Sequence, residues 1–506
     1  MLCFASEMKS FLGIDGINFE WDVENLASIF ASWTPVWDQT PFVGIKQIPP
    51  GHMATIDNGE MHITRFGELD FGIAEEANNQ STINLEAAAN KVRSALQKSV
   101  KLRLRSDVSV GIYLSGGLDS AIIASLVQDC GVKDMHALSV VFEDQDFSEA
   151  RDQEAVKNHL GIDSSAVSIS ADSLVDYFED ATWHAEIPQF RTAYVPMYLL
   201  SKQAHQNGLK VILSGEGADE IFLGYDIFRE TLLRSIWPSL RTVEAEKFLG
   251  SIYKFVPHIS GGGLGAAKEF FVRNAEGIER STYSHDLRFR NNNFHLRIIG
   301  RQGFDYALLN ELIKKQFPDK NGSVIQRAQF IEFITLLQGY LLSTQGDRMS
   351  FAHGVETRCP FLDPNVVRTA SKLTLHSLLS KSFDEKHILK IAFQDKLPYR
   401  ILNKPKRPYI SPDAGFISRA FSSPRWRDWA KELSNGSVLQ SIPTIDHRFC
   451  GRLIEKLSKL SDRQISPRET QAATYLLSLV TLDQQFVSGR RDSTMRCETP
   501  IERLGQ

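Results

Sequence analysis

Val108-Ser109-Val110-Gly111-Ile112-Tyr113-Leu114 runs without interruption into Ser115-Gly116-Gly117-Leu118-Asp119-Ser120, and the apolar, helix-like AIIASLVQD follows. A short β-branched apolar run predicts a buried strand, so the small residues and the carboxylate fall at its C-terminal end, where open α/β sheets place their ligands. Gly116 and Gly117 permit close backbone approach. Ser115 and Ser120 offer hydroxyl donors, and the helix start presents free N–H groups and the positive end of its dipole. These are the components of a pyrophosphate cradle. A carboxylate inside an anion site needs a counter-charge, which Mg²⁺ between Asp119 and phosphate oxygens would supply. The plainer alternative, a turn with Asp119 as a helix cap, leaves the paired serines unexplained.

Outward from this loop the chain alternates helix and strand. Helices are predicted at 83–104, 119–128, 147–159, 171–186 and 195–206, and strands at 136–142, 164–170 and 209–215. Short apolar strands between helices predict an α/β fold, a parallel sheet with helices on both faces. After Gly224 no further strand is expected: QFIEFITLLQGYLLS (329–343) and QAATYLLSLVTLDQQF (471–486) read as helices of a C-terminal helical portion. Upstream, HMATI and EMHITRF flank Asp57-Asn58-Gly59, a hairpin signal. The acidic, polar stretch from Glu68 reads as a linker. The expected organisation is 1–67 as a β-rich unit, 68–84 as linker, 85–486 as the main domain and 487–506 as a mobile tail. The glycine-rich SGGGLG at 260–265 has no predicted strand feeding it and is expected to connect helices rather than bind phosphate.

Composition sets the outer limits. The 506 residues exceed what one core usually organises, and 42% hydrophobic with 23% charged residues is ordinary for a globular chain. Lys and Arg total 57 against 61 Asp and Glu, a net charge of −4 with both signs interspersed, so nucleic acid is not expected as a partner. Five scattered cysteines without a CxxC pair indicate neither a disulfide framework nor a zinc site. No window approaches a membrane span, and a cytoplasmic location is the expectation.

A second acidic cluster, Glu216-Gly217-Ala218-Asp219-Glu220, follows strand VILSG and falls at the same sheet edge as the first loop. Carboxylates beside a phosphate site again call for a divalent cation. Asp347 with Arg348 and Glu356 with Arg358 read as surface pairs as readily as site residues. Lys404, Lys406 and Arg407 form a basic run between prolines that is either a solvated loop or a loop reaching into the site.

The Ser115–Ser120 hexapeptide resembles the signature loop of the N-type ATP pyrophosphatases. Together with LKVILSGEGADEIFLGY (209–225), GDRMSFAHGVETRCPFLD (346–363), KHILKIAF (386–393) and ILNKPKRPYISP (401–412), it makes residues 85 to 480 similar to the B-type, glutamine-hydrolysing asparagine synthetases. The resemblance implies an adenine nucleotide α-hydrolase-like fold and an ATP-dependent ligase that converts aspartate to asparagine through a β-aspartyl-AMP intermediate. By the same resemblance Ser115, Gly116, Gly117, Asp119 and Ser120 bind the nucleotide phosphates, Leu114, Val140 and Gly354 frame adenine and ribose, and Asp119 and Asp219 hold Mg²⁺. Catalytic roles fall on Glu216, Glu356 as proton acceptor and Lys406 at the α-phosphate, and Arg191 is the candidate for the substrate carboxylate. The implied partners are ATP, aspartate and ammonia, with a homodimer left open.

Two departures stand out. The family's N-terminal-nucleophile glutaminase domain begins with a cysteine, whereas Leu2 follows Met1 here and Cys3 is not N-terminal. FASEMKSFL and TPFVGIKQIPPGHMATI instead resemble the final part of that domain, so 1–67 is expected to be a remnant with exposed sheet edges and a loose hold on the rest. A truncated gene model, a synthetase using free ammonia and one fed by a separate glutaminase all stay open. The stretch Gln189-Phe190-Arg191-Thr192-Ala193-Tyr194-Val195 lacks the tandem threonines found in close relatives, so another carboxylic acid in a specialised pathway is one alternative, and the missing N-terminal part makes a truncated, non-catalytic paralogue the other.

Overall fold

A computed structural model describes residues 2–67, 84–132, 135–239, 274–318, 322–422 and 442–488. The expected linker, apart from Asn84, the glycine-rich 260–265 stretch and nearly all of the expected tail lie outside them. Among the described residues the central element is a five-stranded parallel sheet of β3 (Val110–Tyr113), β4 (His136–Phe142), β5 (Asp163–Ile169), β6 (Val211–Leu213) and β7 (Glu356–Arg358). Its order is β5-β4-β3-β6-β7. The chain therefore lays strands to one side of β3 and then returns to the other, which opens a crevice between the ends of β3 and β6.

Alternation along the strands divides the apolar residues between two cores. Ile112, Leu114, Ala137, Val211 and Leu213 pack with α2 (Leu85–Arg103) and α3 (Leu118–Asp129). Tyr113, Leu138, Val140 and Ile212 pack on the opposite face with α7 (Tyr194–Gln206) and the C-terminal helical portion. Asn84 caps α2 by accepting the Ala87 N–H at 2.9 Å. β7 corrects the expectation that strands end at Gly224. It is three residues long, too short for an alternating pattern, and it exists because β6 offers an open edge: Glu356 N–H donates to Lys210 O at 2.8 Å and Ser214 N–H to Arg358 O at 2.9 Å. The helix read at 329–343 is α-helical only to Glu332, and Phe333–Asp347 continues with π-type hydrogen bonding.

The N-terminal segment divides in two. β1 (His52–Asp57) and β2 (Glu60–Arg65) form the expected hairpin, with Asn58 and Gly59 both at positive φ, 50° and 84°. Its apolar side chains Met53, Ile56, Met61 and Ile63 remain about half exposed. By contrast α1 (Val23–Ser32) is part of the main core, with Leu26, Ile29 and Phe30 fully buried. Those three side chains alone contribute roughly 1.5–3 kcal/mol each, enough to fix the helix. Hydrogen bonds reach far along the chain: Trp21 Nε1 to Asp483 Oδ1 at 2.8 Å, Tyr475 Oη to Ile29 O at 3.1 Å, and Met8 and Lys9 N–H to the buried Glu186 carboxylate at 2.9 and 2.8 Å. The loose hold expected for the whole segment applies to the hairpin only. Hydrogen exchange should show it: amides 26–31 protected as strongly as those of β4, amides 60–65 exchanging orders of magnitude faster, and equal protection of both would contradict this division.

Candidate active site

The loop after β3 leaves little room for alternatives. Gly116 has φ 76°, and a Cβ there would lie 2.7 Å from Gln153 N, so only glycine fits. Ser115 and Ser120 hydroxyls are 3.1 Å apart, and Gly117 N–H donates to Ser115 Oγ at 3.2 Å. α3 starts immediately after, at Leu118, with its N-terminal N–H groups at the sheet edge. Leu114 and Val140, both buried, sit at neighbouring strand ends, joined by Ser139 Oγ donating to Leu114 O at 2.7 Å.

The second loop, after β6, approaches the first closely: a Cβ at Gly215 would stand 3.0 Å from Asp119 Cβ. Its Gly217 has φ 90° and leads into the short helix α8 (Ala218–Ile221), which carries Asp219. Two lysines from distant sequence meet these carboxylates. Lys386 Nζ lies 2.7 and 2.6 Å from Asp119 Oδ1 and Oδ2 and 2.6 Å from Asp219 Oδ1, and Lys406 Nζ lies 2.6 Å from Asp219 Oδ2 and 4.0 Å from Asp119. Lys386 is 3% exposed. Burial opposes the Asp219 charge, but the ammoniums of Lys386 and Lys406 outweigh it and hold its pKa below the ordinary carboxylate value. Two carboxylates and two ammoniums thus make a charge-neutral quartet beside the Ser115–Ser120 loop. Lys386 was quoted in a motif but given no role from sequence; nothing local distinguishes it, since its partner Asp119 is 267 positions away.

Lys404 supports the loop from outside, its Nζ 2.6 Å from Glu149 and 2.8 Å from Asp152. Glu216 faces a neighbouring cavity also lined by Asp347, Gln345, Thr357 and Cys359. Burial pushes the Glu216 pKa up to about 7, with Lys406 pulling against it, and burial lifts Asp347 to about 6. Asp347, left open from sequence between a surface pair and a site residue, is brought to the same cavity as Glu216.

Other expected residues lie elsewhere. Glu356 opens β7 level with Val211, two residues short of the strand end at Leu213, and its half-exposed carboxylate is engaged by Arg358 Nε at 2.7 Å. Gly354 precedes that strand at the same far end, with φ 64°. Neither is brought to the loop edge. Arg191 lays its guanidinium over Trp33 and Phe190, at 5.3 and 5.0 Å from the ring centroids, while the adjoining Thr192 binds Asp413 through N–H and hydroxyl at 2.8 and 2.5 Å. It does not line the Glu216 cavity.

A glycine loop feeding a helix N-terminus at a sheet switch point, with paired lysines and acids beside it, has the make-up of an anion-binding site at the sheet edge. The chain belongs to the asparagine synthase family, whose model matches residues 91–484. It is 30% identical to a protein named amidase chyE of Penicillium rubens, over 94% of this chain and 73% of that one. It is 28% identical to amidase chry2 of Gibberella zeae, over 81% and 64% of the two chains. To asparagine synthetase [glutamine-hydrolyzing] 1 of Bacillus subtilis the identity is 29%, over 81% of this chain and 62% of that one. The chain thus spans between 62% and 73% of the length of these relatives.

Proposed function

We propose that the chain activates a carboxylic acid, aspartate in the first instance, as an acyl-adenylate and transfers the acyl group to ammonia. The observation that carries this reading is the neutral Asp119–Asp219–Lys386–Lys406 quartet against the Ser115–Ser120 loop. In the first step a substrate carboxylate oxygen attacks the α-phosphorus of ATP and the bond to the β-phosphate oxygen breaks. Loop N–H groups and the serine hydroxyls hold the departing pyrophosphate, and Lys406 compensates charge at the α-phosphate as it develops. Asp119 and Asp219, adjacent and each paired with a lysine, are the carboxylates that would hold Mg²⁺ together with phosphate oxygens, on the side not taken by Lys386. Bound there, it would neutralise the phosphate charge. In the second step ammonia attacks the acyl carbonyl and AMP leaves. The proton-accepting role implied for Glu356 passes in this scheme to Glu216 and Asp347.

Lys406→Ala should lower kcat by about 10²–10³ while raising the KM for ATP less than tenfold, because the ammonium acts mainly on transition-state charge. Equal changes in both constants would remove Lys406 from the chemistry. The reading as a whole is tested by AMP and pyrophosphate release from ATP and Mg²⁺ with aspartate, supplied with ammonium or with glutamine. Release with ammonium alone would fit a synthetase that uses free ammonia or a separate glutaminase. A different acid is the second reading, favoured by the commitment of Arg191 to the Trp33 and Phe190 faces rather than to the Glu216 cavity. A panel of carboxylic acids scored by pyrophosphate release separates the two.

A further inference from the structure

Glu186 follows the helix Phe178–Ala185 and is fully buried. Its φ of 60° lies in the left-handed region, which a residue with a side chain adopts only where its surroundings hold it there. Four donors converge on its carboxylate. Oε1 accepts the Lys9 N–H at 2.8 Å and Lys9 Nζ at 3.3 Å, and Oε2 accepts the Met8 N–H at 2.9 Å and one arm of the Arg348 guanidinium. Burial opposes the charge, but Arg348, Lys9 and the two N–H groups outweigh it and keep the Glu186 pKa below the ordinary carboxylate value. The donors come from two distant stretches of chain, one ahead of α1 and 177 or 178 positions away, the other 162 positions onward and next to Asp347.

That neighbour gives the placing of Arg348 its weight. Asp347 and Glu216 line one cavity, and among the described residues no arginine, lysine or histidine lines it with them. The Arg348 guanidinium points away, and among the described residues Glu186 is its only acceptor. Were that acceptor to lose its charge, a partly buried cation would stand one residue from an acidic cavity and would be drawn to Asp347. We propose that Glu186 is a positioning residue that keeps Arg348 out of the Glu216–Asp347 cavity, and that Met8 and Lys9, by supplying the remaining donors, lock it in that role. The consequence for catalysis rests on the amide-ligase reading, in which those two acids take up protons; the placing of Arg348 does not. Glu186 itself touches no reacting atom. Adenylation at the Asp119–Asp219–Lys386–Lys406 quartet loses none of its groups when Glu186 is changed, whereas acyl transfer loses a free cavity.

A double-mutant cycle with a structural arm tests this. Glu186→Gln keeps the size of the side chain and should lower kcat for amide formation about 30-fold, while ATP–pyrophosphate exchange and the KM for ATP stay within threefold. Arg348→Gln alone should stay within threefold of wild type throughout. The double variant should return to within threefold as well, since no guanidinium remains to enter the cavity, a recovery that damage to packing does not give. The crystal structure of Glu186→Gln should show Arg348 within hydrogen-bond distance of Asp347, and hydrogen exchange in that variant should be at least tenfold faster at amides 8 and 9. A double variant as slow as Glu186→Gln, or exchange and amide formation falling together, overturns the positioning role. An Arg348 that keeps its place in the Glu186→Gln crystal overturns it too, and unchanged amides 8 and 9 overturn the lock. Should the wild type activate no acid on a panel while Arg348 moves to Asp347 in the variant, the amide-ligase reading fails and the placing of Arg348 by Glu186 is upheld.

Discussion

Asp119→Asn should reduce ATP–pyrophosphate exchange by about 10³ or more, equivalent to roughly 4 kcal/mol at the transition state. The carboxylate has two partners to lose. It is held by Lys386 through both oxygens, and it stands across from Asp219 at the place proposed for the metal. An asparagine keeps the shape but gives the quartet a net positive charge, and its amide nitrogen cannot ligate a hard cation. Exchange in the variant should not recover with excess Mg²⁺. Activity within tenfold of wild type would exclude Asp119 from both phosphate and metal binding.

Lys386→Ala should be the substitution most damaging to stability. It removes the ammonium that touches both aspartates and leaves two adjacent carboxylates nearly buried, a change that costs about 3–5 kcal/mol in comparable pairs. Urea unfolding measures the loss. The double variant Asp119→Asn, Lys386→Met should regain most of it, since the remaining Asp219 and Lys406 still pair at 2.6 Å. A double variant as unstable as Lys386→Ala alone would mean that packing around the lysine stem, rather than its charge, carries the effect.

What sequence revealed follows the reach of local pattern. The β3 loop, the alternation of strands and helices and the hairpin at Asn58-Gly59 are signals within a few residues of each other, and they appear where expected. β7 was invisible because three residues without alternation acquire strand geometry only from the edge of β6. Lys386 and Asp347 were visible as residues but not as site components. The first meets its partner across 267 positions, and the second turns toward Glu216 only because the π-type segment Phe333–Asp347 ends beside the sheet. At Glu356 and Gly354 motif and geometry diverge: the motif matches in order, but Glu356 opens its strand level with Val211, away from the loops at the strand ends. Burial of α1 was missed for a similar reason: its partners come from the helix Asp286–Leu296 and from the last helices of the chain, more than 250 positions away.

That last pairing constrains how the molecule is made. Trp21 waits for Asp483, 462 positions later, and at roughly 5–20 residues per second the ribosome needs roughly 20–90 s to deliver it. During that interval Leu26, Ile29 and Phe30 lack the C-terminal part of their core, and even the helix Asp286–Leu296, whose Asn292 Nδ2 donates to Ala31 O at 2.6 Å, arrives only midway, so nascent chains should depend on holding chaperones and yield should fall when elongation is slowed.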